Sequence, residues 1–193
     1  NVIGQIGRGP VKILVDAHLD TVGAGDPAEW ARVGRKPFAG VVKHGAIWGR
    51  GATDQKSAMA SMVWAGKIMK DLGLMDGCTV YMVGSVQEED CDGLSLMHLI
   101  QKEGVKPNVV VLTEETELNL HRGHRGRMEI RVVTKGRSCH GSMPHLGENA
   151  VYRMAPIIRE IEQLNSRLRD DPFLGKGTVT VSRIECRTLS LCA

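Results

Sequence analysis

The sequence predicts an α/β fold, a mostly parallel sheet flanked by helices, followed by part of a smaller α+β domain. Three observations carry this expectation. Short apolar runs rich in β-branched residues alternate with stretches of helical periodicity. Gly-, Pro- and Asn-containing segments separate them. Acidic and histidine residues stand just past the C-terminal ends of the apolar runs, where open α/β sheets place their ligands.

Val11–Ala17 (VKILVDA) reads as a buried strand that stops at His18. Gly23–Gly40 lacks periodicity and is rich in Gly and Pro, which predicts a loop. Val41–Lys43 and Ala46–Trp48 flank His44–Gly45, the signal for a tight hairpin. Asp54 then opens a helix whose apolar face is Ala58, Met59, Met62, Val63, Ala65, Ile68, Met69 and Leu72, with Gly73 to end it. Cys78–Val86 is the next strand, with Glu88 and Glu89 just beyond it. Leu94–Glu103 is a helix closed by Gly104, and Asn108–Leu112 is a strand followed by Glu114.

The pattern then changes. Met128–Val133 alternates like a half-buried strand, and Lys135–Gly147 is a Gly/Ser/Pro loop holding His140 and His145. Asn149–Leu164 is amphipathic and helical, and Thr178–Ile184 alternates again. This β–α–β piece reads as a second domain, with the boundary near His121–Gly126.

Composition narrows the function classes. Of the 193 residues, Lys plus Arg number 25 and Asp plus Glu 22, a dispersed net charge of +3. That disfavours nucleic acid or an anionic membrane as partner. Five cysteines without CxxC spacing point to reduced thiols in a cytosolic protein rather than a disulfide framework or a zinc knot. No segment has the apolar length of a membrane span, and no signal peptide is visible. The chain starts at Asn1 rather than Met and ends at Ala193 directly after a strand-like run, so both ends read as cuts.

His18, Asp20, Asp54, Glu88, Glu89 and Glu114 carry the chemistry. Imidazole and carboxylate bind borderline or hard divalent ions. His18 and Asp54 would start one ion site, Asp54 and Glu89 the other. A bridging aspartate holds two ions roughly 3.5–4 Å apart, and the acidified water between them attacks a carbonyl. If the backbone is extended at Glu88–Glu89, their side chains diverge, so one binds metal while the other faces the water. Asp20, two residues after His18, is placed to accept the His18 ring N–H and fix its tautomer. Each residue taken alone has an ordinary reading: a polar surface histidine, a solvated Glu–Glu face, and an N-cap for Asp54.

The runs VDAHLDTV and WGRGATDQKSAMA, the Glu88–Glu89 pair and TEETELNLHRGHRG follow one another in an order that resembles the M20 family of metallopeptidases and deacylases. GRSCHGSMPHLGENAV resembles the lid segment of the same family. The resemblance implies a zinc-peptidase-like catalytic domain, incomplete, over residues 1–124 and part of a lid and dimerisation domain over 125–193. It implies that His18 binds one metal, Asp54 bridges both, Glu89 binds the other, and Glu88 is the general acid/base. Glu114 would complete the His18 site, with Glu115, where the family often has Pro, as a competing ligand. Asp20 would orient His18, and the Asp54–Gln55 peptide would be cis. His140 would match a lid histidine that, in dimeric members, reaches the partner's active site and stabilises the oxyanion; the alternative is a loop histidine capping a turn. The last ligand, a histidine beside Glu89, would lie beyond Ala193, so the 193 residues alone are not expected to be a competent enzyme.

The expected function is hydrolysis of an amide or peptide bond in an N-acyl amino acid or short peptide, with two divalent ions, zinc first and cobalt or manganese as alternatives. The resemblance spans aminoacylases, acetylornithine and succinyl-diaminopimelate deacylases, dipeptidases and carboxypeptidases. HRGHRG and ENAVYRMAPII look closest to the deacylase-like branch. Expected partners are a small amide or peptide substrate and a second copy of the chain. The rival reading is a non-catalytic M20-like scaffold that binds a ligand or only dimerises. His44, His121, His124 and His145 read as surface or hinge residues, and Arg125 and Arg127 as hinge residues or contacts to a substrate carboxylate. Cys139 and His140 are adjacent and point apart, which argues against a Cys–His nucleophile.

Overall fold

A computed structural model describes residues 1–32 and 34–186. They divide into a first unit, Asn1–Asn119, and a second that begins at Leu120. In the first unit, β1 (Val2–Gly7), β2 (Val11–His18), α1 (Pro27–Arg32), β3 (Val41–Lys43) and β4 (Ala46–Trp48) precede a kinked turn at Ala52–Ser57. Then come α2 (Ala58–Asp71), β5 (Cys78–Ser85), α3 (Glu88–Cys91), α4 (Leu94–Gln101) and β6 (Val109–Leu112).

The main sheet has the order β1-β5-β2-β6. β2 runs parallel to β5, with Leu14 beside Tyr81 and His18 beside Ser85, and parallel to β6, with Asp16 beside Leu112. β1 is an antiparallel edge on β5. Residues level with one another in a ladder share a sheet face. Leu14 and Val83 therefore meet Leu99 of α4 in the core, with Tyr81, Leu96 and Val105 packed around them. Met82 lies on the other face, under α2. A Cβ at Gly66 would lie 3.1 Å from Met82 Cε, so glycine lets the helix approach the sheet there.

The buried stripe of α2 is narrow. Met62 and Gly66 are buried and Ala58, Met59 and Met69 half-buried, whereas Val63, Ala65, Ile68 and Leu72 of the expected apolar face are exposed. Asp54 does not open the helix. It lies in the kinked turn with non-helical φ −110° and ψ 94°, and α2 starts at Ala58. The Asp54–Gln55 peptide is cis. The β3–β4 hairpin turns on His44 and Gly45, both at positive φ, as a two-residue primed turn requires.

Two further expectations are corrected. The loop Gly23–Gly40 contains α1, where Asp26 Oδ1 accepts the Ala28 N–H at 2.8 Å and Pro27 takes the first helical position. The backbone at Glu88–Glu89 is not extended but forms the helical turn α3, so the two side chains diverge by the roughly 100° of a helix rather than across a pleat.

In the second unit, α5 (Ala150–Arg167) is N-capped by Asn149, whose side chain accepts from Val151 and Tyr152. A minimal hairpin, β7 (Asp170–Asp171) and β8 (Gly175–Lys176), follows. Met128–Val133 and Thr178–Ile184 form no strand among the described residues. Alternation records a face that needs cover, whereas a strand needs a neighbouring backbone, and Met128, Ile130, Val133 and Ile184 are exposed. No helix among the described residues is long and apolar enough to cross a membrane. Cys192 lies outside the described residues.

Candidate metal centre

The ends of three parallel strands build the site. β2 delivers His18, β5 leads into Glu88 and Glu89, and β6 leads into Glu114, while the kinked turn before α2 brings Asp54. β2 is pinned on its β5 side by the Leu19 N–H donating to the Ser85 carbonyl at 2.7 Å. Gly51 closes the turn at φ 72°, and a Cβ there would fall on Lys56 Nζ and 2.5 Å from Thr21 Cγ2.

His18 is the centre of the cluster. Its side chain is 1 % exposed, and Nε2 lies 2.6 Å from Asp54 Oδ1 and 4.0 Å from Glu88 Oε2. Two sets of donor atoms lie within 4.8 Å of one another: His18 with Glu88 and Glu114, and His18 with Asp54 and Glu89. The sequence reading has Asp54 bridging both ions; His18 is the residue common to both sets, and Asp54 stands in one. Glu115 turns away into a local bend, where its Oε1 accepts the Glu117 N–H at 2.9 Å.

Asp20 divides its work differently from the expectation. The His18 ring is held at Nδ1 by the Asp20 backbone carbonyl at 2.8 Å, while the carboxylate Oδ1 is 3.6 Å away. That carboxylate accepts the N–H groups of Glu88 at 3.3 Å and Glu89 at 3.2 Å, the unpaired amides that open α3. One residue thus orients the imidazole and seats the glutamate pair. Glu89 in turn accepts the Val22 N–H at 2.9 Å. Asp20→Ala is expected to weaken metal affinity or turnover about 10–100-fold, the usual cost of losing a supporting partner. Chelator-competition titration beside steady-state kinetics measures it, and unchanged values would show that the pair needs no such seat.

Charge in the cluster follows from burial and crowding. Burial by itself lowers the His18 pKa. The bond to Asp54, the Asp20 carbonyl and the charges of Asp54 and Glu88 outweigh it, and the net shift is upward. Burial raises the Glu88 pKa, and the charge of Glu114 raises it further. Carboxylates gathered around an imidazole favour its protonated form. A divalent ion would replace the proton between His18 and Asp54, so imidazole and carboxylates at this spacing fit one.

Three supporting residues escape a reading of the sequence. Gln55 is 2 % exposed, and its Oε1 accepts the His18 N–H at 3.1 Å and the Thr113 hydroxyl at 3.2 Å. The single Thr113 hydroxyl proton has two acceptors in reach, the Asp16 carbonyl at the shorter 2.8 Å and Gln55 Oε1 at 3.2 Å. Asp16 is buried, accepts from Ser85 Oγ at 3.0 Å, and keeps its other carboxylate oxygen without a hydrogen-bond partner. The i, i+2 spacing of Asp16 and His18 was the available signal, since it puts both on one face of β2.

In the second unit, His140 is exposed. Its Nδ1 accepts the Ser142 N–H at 3.3 Å and lies 2.8 Å from Ser142 Oγ, and its carbonyl accepts the Met143 N–H at 2.8 Å. With Nδ1 accepting, a neutral ring carries its proton on Nε2. Cys139 beside it is half-buried and unpaired. Arg125 donates to the Lys176 carbonyl at 2.7 Å within the same unit.

A mostly parallel α/β sheet that gathers one imidazole and several carboxylates past its strand ends has the architecture of a metal-dependent hydrolase. Residues 14–185 match Peptidase family M20/M25/M40, and the chain belongs to that family. It is 51 % identical over its whole length to the uncharacterized protein YgeY of Escherichia coli (strain K12), covering 47 % of that protein. It is 30 % identical over 172 residues to a probable succinyl-diaminopimelate desuccinylase of Staphylococcus epidermidis, covering 88 % of this chain and 41 % of the relative. An M20 family metallo-carboxypeptidase from Sulfolobus solfataricus has the same fold, with a TM-score of 0.60 at 22 % identity over 81 % of this chain and 37 % of that one. The chain therefore spans less than half the length of these curated relatives.

Proposed function

We propose that this chain carries the ligand cluster of a dinuclear-metal amidohydrolase that cleaves an amide or peptide bond in an N-acyl amino acid or short peptide. The carrying observation is the convergence of His18, Asp54, Glu88, Glu89 and Glu114 into two overlapping donor sets. The relative named as a desuccinylase supports the deacylase side of that class. His18, Asp54, Glu89 and Glu114 would hold two divalent ions, zinc first among them. Bound there, they would supply Lewis acidity at the scissile carbonyl and acidify the attacking water. Glu88 takes the proton from that water and returns it to the leaving amine nitrogen. Burial and the charge of Glu114 raise its pKa, which favours a carboxyl that can hold a proton as well as release it. The decisive experiment loads the full gene product with zinc or cobalt and assays N-acyl amino acids and dipeptides. Stoichiometric metal with metal-dependent amide hydrolysis supports the reading, and no stoichiometric metal sinks it.

In this proposal residues 1–124 belong to the catalytic domain and 125–193 to a lid that pairs with a second copy of the chain. α5 suits such pairing: it is amphipathic, none of its residues is buried, and Val151 and Tyr152 are exposed on its first turn. His140 would act across that dimer as a donor to the developing oxyanion, with Nε2 carrying the proton. Loss of one such donor costs about 3–4 kcal/mol. His140→Ala subunits mixed with Glu88→Gln subunits are expected to regain activity, since one site of each mixed dimer keeps both groups. Heterodimers that form without recovering activity would remove His140 from the partner's site.

A further inference from the structure

We propose that Gln55 is a positioning residue for the metal ligands, holding the end of β2 and the start of the Glu114 segment at a fixed distance from Asp54. The inference rests on the metal-binding reading above. β6 pairs with β2 only as far as Asp16–Leu112, and the Thr113 N–H still donates to the Asp16 carbonyl at 3.1 Å. One step further the strands part, and the buried His18 N–H would lose its ladder acceptor. Gln55 Oε1 fills that place at 3.1 Å. A backbone N–H can only donate, so this contact fixes which end of the Gln55 amide faces β2. The same oxygen shares the one Thr113 hydroxyl proton, at 3.2 Å, with the Asp16 carbonyl at 2.8 Å, and Thr113 directly precedes Glu114. Gln55 itself directly follows Asp54. One side-chain oxygen thus contacts the backbone of one proposed ligand, His18, and the residue before another, Glu114, from the residue next to a third, Asp54.

The test compares Gln55→Met and Gln55→Glu in the full gene product. Zinc affinity is read by competition with a chromophoric chelator, and His18 amide exchange by hydrogen–deuterium labelling. Gln55→Met fills similar space without an acceptor. It is expected to lose about 10–100-fold in zinc affinity and to speed His18 amide exchange, with an unchanged circular dichroism spectrum. Gln55→Glu keeps the acceptor oxygens and is expected to bind zinc at least as tightly as the unaltered protein. A folded Gln55→Met with unaltered affinity overturns the proposal, as does an equal loss in both variants, since Gln55→Glu keeps the acceptor. If Gln55→Met does not fold, Gln55→Ala, which also lacks the acceptor, decides: weakened zinc binding with faster His18 amide exchange supports the proposal and unchanged binding overturns it. Failure of the unaltered protein to bind zinc would overturn the metal reading itself, and the role of Gln55 with it.

Discussion

Glu88→Gln, in the full gene product, is expected to keep its metal and lose about 10²–10⁴-fold in kcat, the usual contribution of a general acid/base. Glutamine still hydrogen-bonds a water but cannot carry its proton. Two features of the structure sharpen the expectation. Glu88 Oε2 lies 4.0 Å from His18 Nε2, close enough to share a water with the cluster. Burial and the neighbouring Glu114 also push the pKa of its carboxyl upward. Yet Glu88 also belongs to a donor set with His18 and Glu114. Metal analysis beside single-turnover kinetics separates the two roles. Full metal occupancy with near-normal kcat removes Glu88 from the chemistry, whereas lost metal makes Glu88 the ligand and Glu89 the candidate base.

His18→Ala is expected to strip both ions and, with them, turnover. His18 is common to both donor sets, so among the described residues its removal leaves each with carboxylates alone. Four acidic residues without the imidazole repel one another and bind zinc less selectively. The loss should therefore exceed the 10–100-fold typical of a supporting partner. Metal content after dialysis, measured beside a thermal scan, tests this. Because the His18 side chain is 1 % exposed, the scan is needed to separate lost ligation from a lost fold. Retention of both ions would show that the carboxylates hold them unaided.

The legible part of the fold was written in local chemistry. β2, β5 and β6 are β-branched runs with clear stops, and the His44–Gly45 turn declares its hairpin. α1 carried an Asp-Pro start but is too short to show periodicity, and the glycines of β1 interrupt its alternation. Met128–Val133 and Thr178–Ile184 misled in the opposite direction, since alternation describes one face and says nothing of a neighbour. The inward face of α2 was only partly readable. Gly66, buried on that face, contributes no side chain to a periodicity argument. In the site, residue types and strand-end positions pointed to His18, Glu89 and Glu114, and residue type with the family resemblance pointed to Asp54. The supports were hidden because they act through backbone groups distant in sequence. Nothing local marks Gln55 as the acceptor for His18, or the Asp20 carboxylate as the seat of α3.

The contacts that shape the cluster join residues far apart along the chain. His18 and Asp54 are separated by 36 positions, Asp20 and Glu89 by 69, and Thr113 and Asp16 by 97. Contacts of such long range form only after loop closure has been met, late in the assembly of a sheet. The donor set therefore exists only once β5 and β6 have both docked on β2, and the unfolded chain offers an ion nothing comparable. A cation held there would act as a fastener on the finished sheet. At a free concentration one hundred times its dissociation constant it would add about 2.7 kcal/mol to folding stability. Ion supply would then govern the lifetime of the protein as well as its chemistry.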